Sequence, residues 1–218
     1  VSAFLLNRSS DLLSYAEHIY SVTLSGNLSG SYNSAVLGKN LYHEEYGDKK
    51  IHVFDSCSAS VGETLIALKI EECEKAGMSF EETVEAVTAY RDAQNTYFVL
   101  ETLEVLRKNG RLSNLKAFVA NALNIKPYMG ATPDGQIIQL GQTRGINRAV
   151  MKMIDTLVEE VKNPEEKIAA ISHCNCPARA EMAKNEILKR IPVKDVVILD
   201  TRGISSMYAS DGGVIIVV

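Results

Sequence analysis

The segment of this chain best suited to holding an anion is Ser25-Gly26-Asn27-Leu28-Ser29-Gly30-Ser31. Gly26 and Gly30 permit close backbone approach, and Ser29 and Ser31 supply hydroxyl donors. The amides opening a following helix would add the positive end of its dipole. A carboxylate or a phosphate suits such a loop. The same residues fit plain helix capping, with Ser29 or Ser31 accepting from the first amides. The spacing is neither a Walker loop, since no Lys precedes the hydroxyl residue, nor a dinucleotide fingerprint. Ser29 stands in Asn-Leu-Ser-Gly-Ser rather than in Gly-x-Ser-x-Gly, which disfavours a serine hydrolase.

Other chemistry-bearing residues are more scattered. His173-Cys174-Asn175-Cys176 places three metal-ligand types in four positions, but Cys57 and Cys73 lie sixteen apart in other elements. A zinc site recruits a second ligand pair at short spacing, so this segment reads as a strand-to-helix turn with Pro177 in the first helical turn. No metal is expected. His18, His43 and His52 have no neighbouring Asp or Cys grouping. Arg111 and Arg144 follow loop punctuation, and on pattern alone both are solvated charges. Asp211-Gly212-Gly213 reads as a turn before a terminal apolar strand.

The elements that position these residues come from a chain of 218 residues, 46% hydrophobic and 23% charged, enough for one large or two small domains without a disulfide or metal staple. Lys and Arg number 23 against 27 Asp and Glu, a net charge of -4, which disfavours nucleic acid or an anionic membrane as partner. No apolar run approaches the roughly 20 residues of a membrane helix, and no signal peptide is visible, so stable membrane insertion is not expected. The chain reads as cytoplasmic, with four free thiols. It starts at Val1 rather than Met, the expectation being that it begins inside a longer protein.

Periodicity predicts helices over residues 4–15, 32–46, 61–76, 103–108, 113–123, 147–161 and 178–189. A further helix follows the capping box Ser79-Phe80-Glu81-Glu82. Strands are predicted over 19–24, 51–54, 96–100, 125–129, 136–140, 167–172, 196–199 and 213–218. In the first half, strands and helices alternate, which argues a parallel sheet because parallel strands need long crossovers. In the second, Thr132-Pro133-Asp134-Gly135 joins two short strands into an antiparallel hairpin. The expectation is an α/β protein of two α/β domains, residues 1–94 with a parallel sheet and 95–218 with a mixed or antiparallel one.

Several of these segments, taken in order, carry a resemblance. They are Ser29-Gly30-Ser31-Tyr32-Asn33-Ser34-Ala35, Val53-Phe54-Asp55-Ser56, the run from Leu103 through Asn109-Gly110-Arg111-Leu112-Ser113, Asn124-Ile125-Lys126-Pro127, and Thr143-Arg144-Gly145. Over essentially its whole length the chain resembles the DegV family of bacterial fatty-acid-binding proteins. The resemblance implies a ligand tunnel between the two domains that holds a long-chain fatty acid, presented to a fatty acid kinase, with no cofactor and no catalysis by the chain itself. It implies that Ser29, with amides around Gly30 and Ser31, holds the carboxylate, and that Arg111 and Arg144 face the kinase. Leu115, Phe118, Val119 and Leu123 would line the tail, although their spacing equally fits core packing. A sixteen-carbon tail gains roughly 0.8 kcal/mol per buried CH₂, about 11 kcal/mol gross before ordering costs.

Two departures follow. Family members carry a Thr-Ser-x-Pro-Ser segment upstream, whose Thr helps bind the carboxylate, and Val1 starts just after its place, so about sixty residues including a first strand are expected to precede it. Many members carry a His in a C-terminal loop near the carboxylate. Here Met207-Tyr208-Ala209-Ser210 stands there, making Tyr208 and Ser210 candidate substitutes. The rival reading of the serine loop is a phosphate cradle in an enzyme acting on a nucleotide or other phosphorylated small molecule.

Overall fold

In a computed structural model of the chain, residues 15–112 and 124–218 are described. The first half runs β1 (His18–Thr23), α1 (Ser31–Tyr46), β2 (Lys50–Asp55), α2 (Val61–Lys75) and α3 (Phe80–Asp92). The second runs β3 (Thr96–Val99), α4 (Glu104–Lys108), β4 (Ile125–Ala131), β5 (Ile137–Arg144), α5 (Ile146–Glu160), β6 (Ile168–His173), α6 (Pro177–Arg190), β7 (Asp195–Asp200), α7 (Gly203–Ala209) and β8 (Val214–Val217). The helices expected over residues 4–15 and 113–123 lie outside the described residues, except for Tyr15.

β1 and β2 pair in parallel from His18 against Lys50 to Thr23 against Asp55. The remaining strands form one mixed sheet of order β5-β4-β3-β8-β6-β7, antiparallel throughout except for the parallel β6-β7 pair. This is the expected arrangement of a small parallel sheet and a larger mixed one. β3 is buried on both faces, and its period of two divides the core. Tyr97 and Val99 pack with Ile171 and Ile216 against α5 and α6. Phe98 faces the other way, with Met129, Leu106 and Ala209.

α2 links the two sheets because it carries apolar residues on two sides. Ile66, Ile70 and Cys73 pack with Phe54 and Val87 of the first half. Val61 and Leu65 pack with Ala170 and Val217 of the larger sheet. By contrast, no residue of α1 is buried.

Local chemistry sets several boundaries. Ser79 and Glu82 form the expected capping box, with the Glu82 amide donating to Ser79 Oγ (3.3 Å) and the Ser79 amide to Glu82 Oε2 (2.8 Å). The His173 to Cys176 segment turns from β6 into α6, with Pro177 opening the helix. One expectation fails: Met207, Tyr208 and Ala209 belong to helix α7 rather than to a loop, and Ser210 is its C-terminal cap. Only seven residues long and started by a glycine at φ +52, α7 offers too few turns for an apolar period to show. Among the described residues no helix is long and apolar enough to cross a membrane.

Candidate functional site

The loops that follow β1 and β2 leave the carboxyl end of the small parallel sheet, where ligands of open α/β sheets gather. Both meet the inner face of the larger sheet across a cavity of about 240 Å³. Its walls are mainly apolar, with Leu28 from the first loop, Phe98 and Leu100 from β3 and the residue after it, Leu106 from α4, Ile137 from β5 and Ile215 from β8. The polar groups in its lining include the hydroxyls of Ser29, Ser58, Ser60, Thr96, Ser205 and Tyr208 and the guanidinium of Arg111.

Hydrogen bonding separates these hydroxyls into committed and available ones. Ser58 Oγ lies 2.7 Å from Thr96 Oγ1, and Ser60 Oγ lies 3.0 Å from Ser172 Oγ. Gly62 makes room for this arrangement, since a Cβ there would stand 2.0 Å from Ser58 Oγ. Ser29 differs. Its Oγ accepts from the Ser31 amide at 3.2 Å, and a hydroxyl carries one donor and two acceptor positions. Among the described residues no acceptor takes the Ser29 proton, which therefore remains to be donated to an anion while the oxygen steadies the helix start.

The two helices opening near the cavity differ in the same way. The first turn of α2 carries Glu63, whose Oε1 accepts from the Ser60 amide at 3.1 Å. Burial raises the Glu63 carboxyl, and the Ser60 amide partly offsets this. α1 has no acidic residue in its first turn and is capped by Gly30, which has no side chain. Among the described residues a Cβ at Gly30 would meet no atom within 4 Å. Among the described residues the Ser31 amide is taken by Ser29 Oγ, and the dipole of α1 with the amides that follow, rather than those of α2, is left for a ligand.

The serine loop is tied down at its base. The Gly26 amide donates to both Asp55 carboxylate oxygens (3.0 and 3.1 Å), and a Cβ at Gly26 would stand 2.7 Å from one of them. The Ser25 amide donates to the Ser58 carbonyl (2.9 Å), and the Ser25 carbonyl accepts from the amides of Leu28 (2.9 Å) and Ser29 (3.0 Å). Cys57 also lines the cavity, and burial and then the Asp55 charge push its thiol up, which favours the protonated form.

The predicted site residues are placed unevenly. Ser29 lines the cavity, whereas Gly30 and Ser31 are exposed at the start of α1. Tyr208 lines it from α7, but Ser210 is absent from the lining, where Ser205 of the same helix stands instead. Arg111 is no free surface charge: its Nε donates to the Leu28 carbonyl (3.1 Å), its Nη1 to the Asn109 carbonyl (2.6 Å), and its guanidinium lies 6.0 Å from the Tyr208 ring centre. Arg144 is exposed at the end of β5 and does not line the cavity. Leu115, Phe118, Val119 and Leu123 lie outside the described residues. Sequence reading missed the loop after β2, whose Ser56, Ser58 and Ser60 at every second position were the available signal.

A family model described as "Uncharacterised protein, DegV family" matches residues 9–218. A DegV domain-containing protein of Streptococcus pneumoniae (strain ATCC BAA-255 / R6) is 38% identical over 200 residues, 92% of this chain and 70% of that protein. Among solved structures, a DegV family protein from Ruminococcus gnavus ATCC 29149, refined with vaccenic acid, is similar with a TM-score of 0.91 and 60% identity, covering 93% of this chain and 72% of that one. The Streptococcus pneumoniae Fatty Acid Kinase (Fak) B3 protein, loaded with linoleic acid, gives a TM-score of 0.86 at 36% identity over 97% of this chain and 75% of that one.

Proposed function

Because the chain belongs to the DegV family, we propose that it binds a long-chain fatty acid, with the carboxylate at Ser29 and the first amides of α1 and the tail in the cavity between the two sheets. The observation that carries this is the pairing of mainly apolar walls with one hydroxyl that keeps its proton beside a helix start that holds no acidic residue. A nucleotide or sugar phosphate would need a more polar lining and more than the single Arg111 guanidinium to offset its charge. An amphiphile with one singly charged head suits these walls.

The reading is of a carrier that presents its ligand, not of a catalyst. A carboxylate held at Ser29 would sit close to Arg111 and Tyr208, so the same surface would be read by a fatty acid kinase, with Arg111 and Arg144 as contacts. Tyr208 and Ser205 are the hydroxyls of α7 that would assist at the head group. We place the boundary between the two domains near residue 94. Support comes from Asn95, whose amide and carbonyl both bond Val218 of the larger sheet (2.8 and 3.1 Å).

The test is to extract the purified protein, expressed in bacteria, with organic solvent and identify the lipid by mass spectrometry. A stoichiometric long-chain fatty acid is expected. A folded protein that carries none, and whose melting temperature rises with a nucleotide but not with oleate, would overturn the reading.

A further inference from the structure

The Thr132-Pro133-Asp134-Gly135 turn, which in sequence is an ordinary hairpin connection, grips the serine loop in the structure. Ser25 Oγ donates to the Gly135 carbonyl at 2.9 Å, and Asn27 Nδ2 donates to the Asp134 carbonyl at 2.6 Å and to Asp134 Oδ2 at 3.3 Å. The approach is close enough to demand glycine. Gly135 has φ +81, and a Cβ on it would stand 2.4 Å from Ser25 Oγ and 2.8 Å from Cys57 Cα.

The turn is itself braced. The Gly135 amide donates to the Thr132 carbonyl (2.8 Å), the Gln136 amide to Thr132 Oγ1 (2.9 Å), Thr132 Oγ1 to Asp134 Oδ1 (2.5 Å) and Gln136 Nε2 to Asp134 Oδ2 (2.8 Å). The hydrogen bonds from Thr132 and Gln136 hold the Asp134 carboxyl below its usual range, so it is an acceptor at any pH near neutral. Beyond the turn the chain of contacts continues to the anion site. Ser25, held by Gly135, receives the amide of Ser29 on its own carbonyl. α1 buries no residue completely, and Leu28 of the serine loop packs against the cluster around Phe98 and Met129, so packing and hydrogen bonds together fix the position of Ser29 and Gly30. Hydrogen bonds from the opposite sheet add to those from Asp55 and Ser58 of the small sheet's own side.

We propose that Asn27 and the Asp134-Gly135 turn are positioning residues: the hairpin of the larger sheet sets the serine loop of the smaller one so that Ser29 and the first α1 amides converge on a single carboxylate. This rests on the fatty-acid reading and concerns the head group alone. Losing part of the grip would let the loop drift from its donor geometry without changing the apolar walls. The effect falls on the charged head and spares the tail.

The experiment compares hexadecanoic acid with hexadecan-1-ol, each displacing a fluorescent fatty acid from the wild-type protein and from Asn27→Ala and Gly135→Ala. Asn27 is exposed and its truncation should leave the fold intact, which melting temperature checks; Gly135→Ala is the stronger but riskier variant. Wild type should prefer the acid. In Asn27→Ala the acid should weaken by about tenfold, the scale of one hydrogen bond, with the alcohol unchanged. A merely structural role would weaken both ligands together. Equal weakening, or an unchanged ratio of acid to alcohol in both variants, overturns the positioning role. Wild type binding neither ligand overturns the fatty-acid reading, and the positioning role with it.

Discussion

The hydroxyls of Ser58 and Thr96 lie 2.7 Å apart, buried, where the loop after β2 meets the first residue of β3. Both residues line the apolar cavity, and both also line a second, more polar cleft that includes Arg91, Gln94 and Lys167. The pair is therefore part of the wall between a space suited to an acyl chain and one suited to water. A lone buried hydroxyl costs more than an absent pair. Thr96→Val, which keeps the shape, should lower stability by about 1–3 kcal/mol, and the double variant Ser58→Ala/Thr96→Val should recover part of the loss. Urea midpoints with an unchanged slope would show this, and a double variant less stable than Thr96→Val would count against it.

Ser29→Ala removes the one hydroxyl of the serine loop that both lines the cavity and keeps its proton. A hydrogen bond to a charged group contributes about 1.5–3 kcal/mol, so affinity for a long-chain fatty acid should fall by roughly ten- to a hundredfold. Displacement of a fluorescent fatty acid measures it. Equal affinities in the two proteins would move the carboxylate elsewhere in the cavity.

Arg144 is exposed at the end of β5, away from the cavity lining. Arg144→Ala should leave fatty acid affinity within about twofold, as surface substitutions generally do, yet slow phosphorylation of the bound acid by a fatty acid kinase. Full phosphorylation of the variant at limiting kinase would remove Arg144 from the partner surface.

Much of the framework behind these expectations was legible in the sequence for physical reasons. Ser79 and Glu82 announce their helix because a capping box is local chemistry, and Pro133-Asp134-Gly135 announces its hairpin because the turn demands it. Ser29 stood out because its hydroxyl and flanking glycines lie in one short stretch. What stayed hidden depends on distance along the chain. Nothing near Arg111 says that it bonds the Leu28 carbonyl 83 residues away, and nothing near Asp134 says that it holds Asn27, 107 residues away. α7 was hidden for a different reason: a seven-residue helix earns its place by burying Ala209, not by its own periodicity.

The small sheet carries its own pH dependence, through Glu74 of α2. Tyr20 donates to Glu74 Oε1 at 2.5 Å, and His18 Nδ1 lies 2.8 Å from the same oxygen. The Tyr20 hydrogen bond first, and His18 second, hold the Glu74 carboxyl below its usual value, while burial and then Glu74 push the Tyr20 phenol up, keeping it a donor through neutral pH. A carboxyl lowered in the folded state releases its proton more readily there than in the unfolded chain, so its contribution is complete above the unfolded value of about 4.3 and is lost as pH falls through the folded one. Glu74→Gln cannot titrate. The stability of wild type relative to Glu74→Gln should therefore fall as acid protonates Glu74, between about pH 5 and about pH 3, in urea unfolding. Parallel curves for the two proteins across that whole range would show that Tyr20 and His18 do not favour the charged form of Glu74.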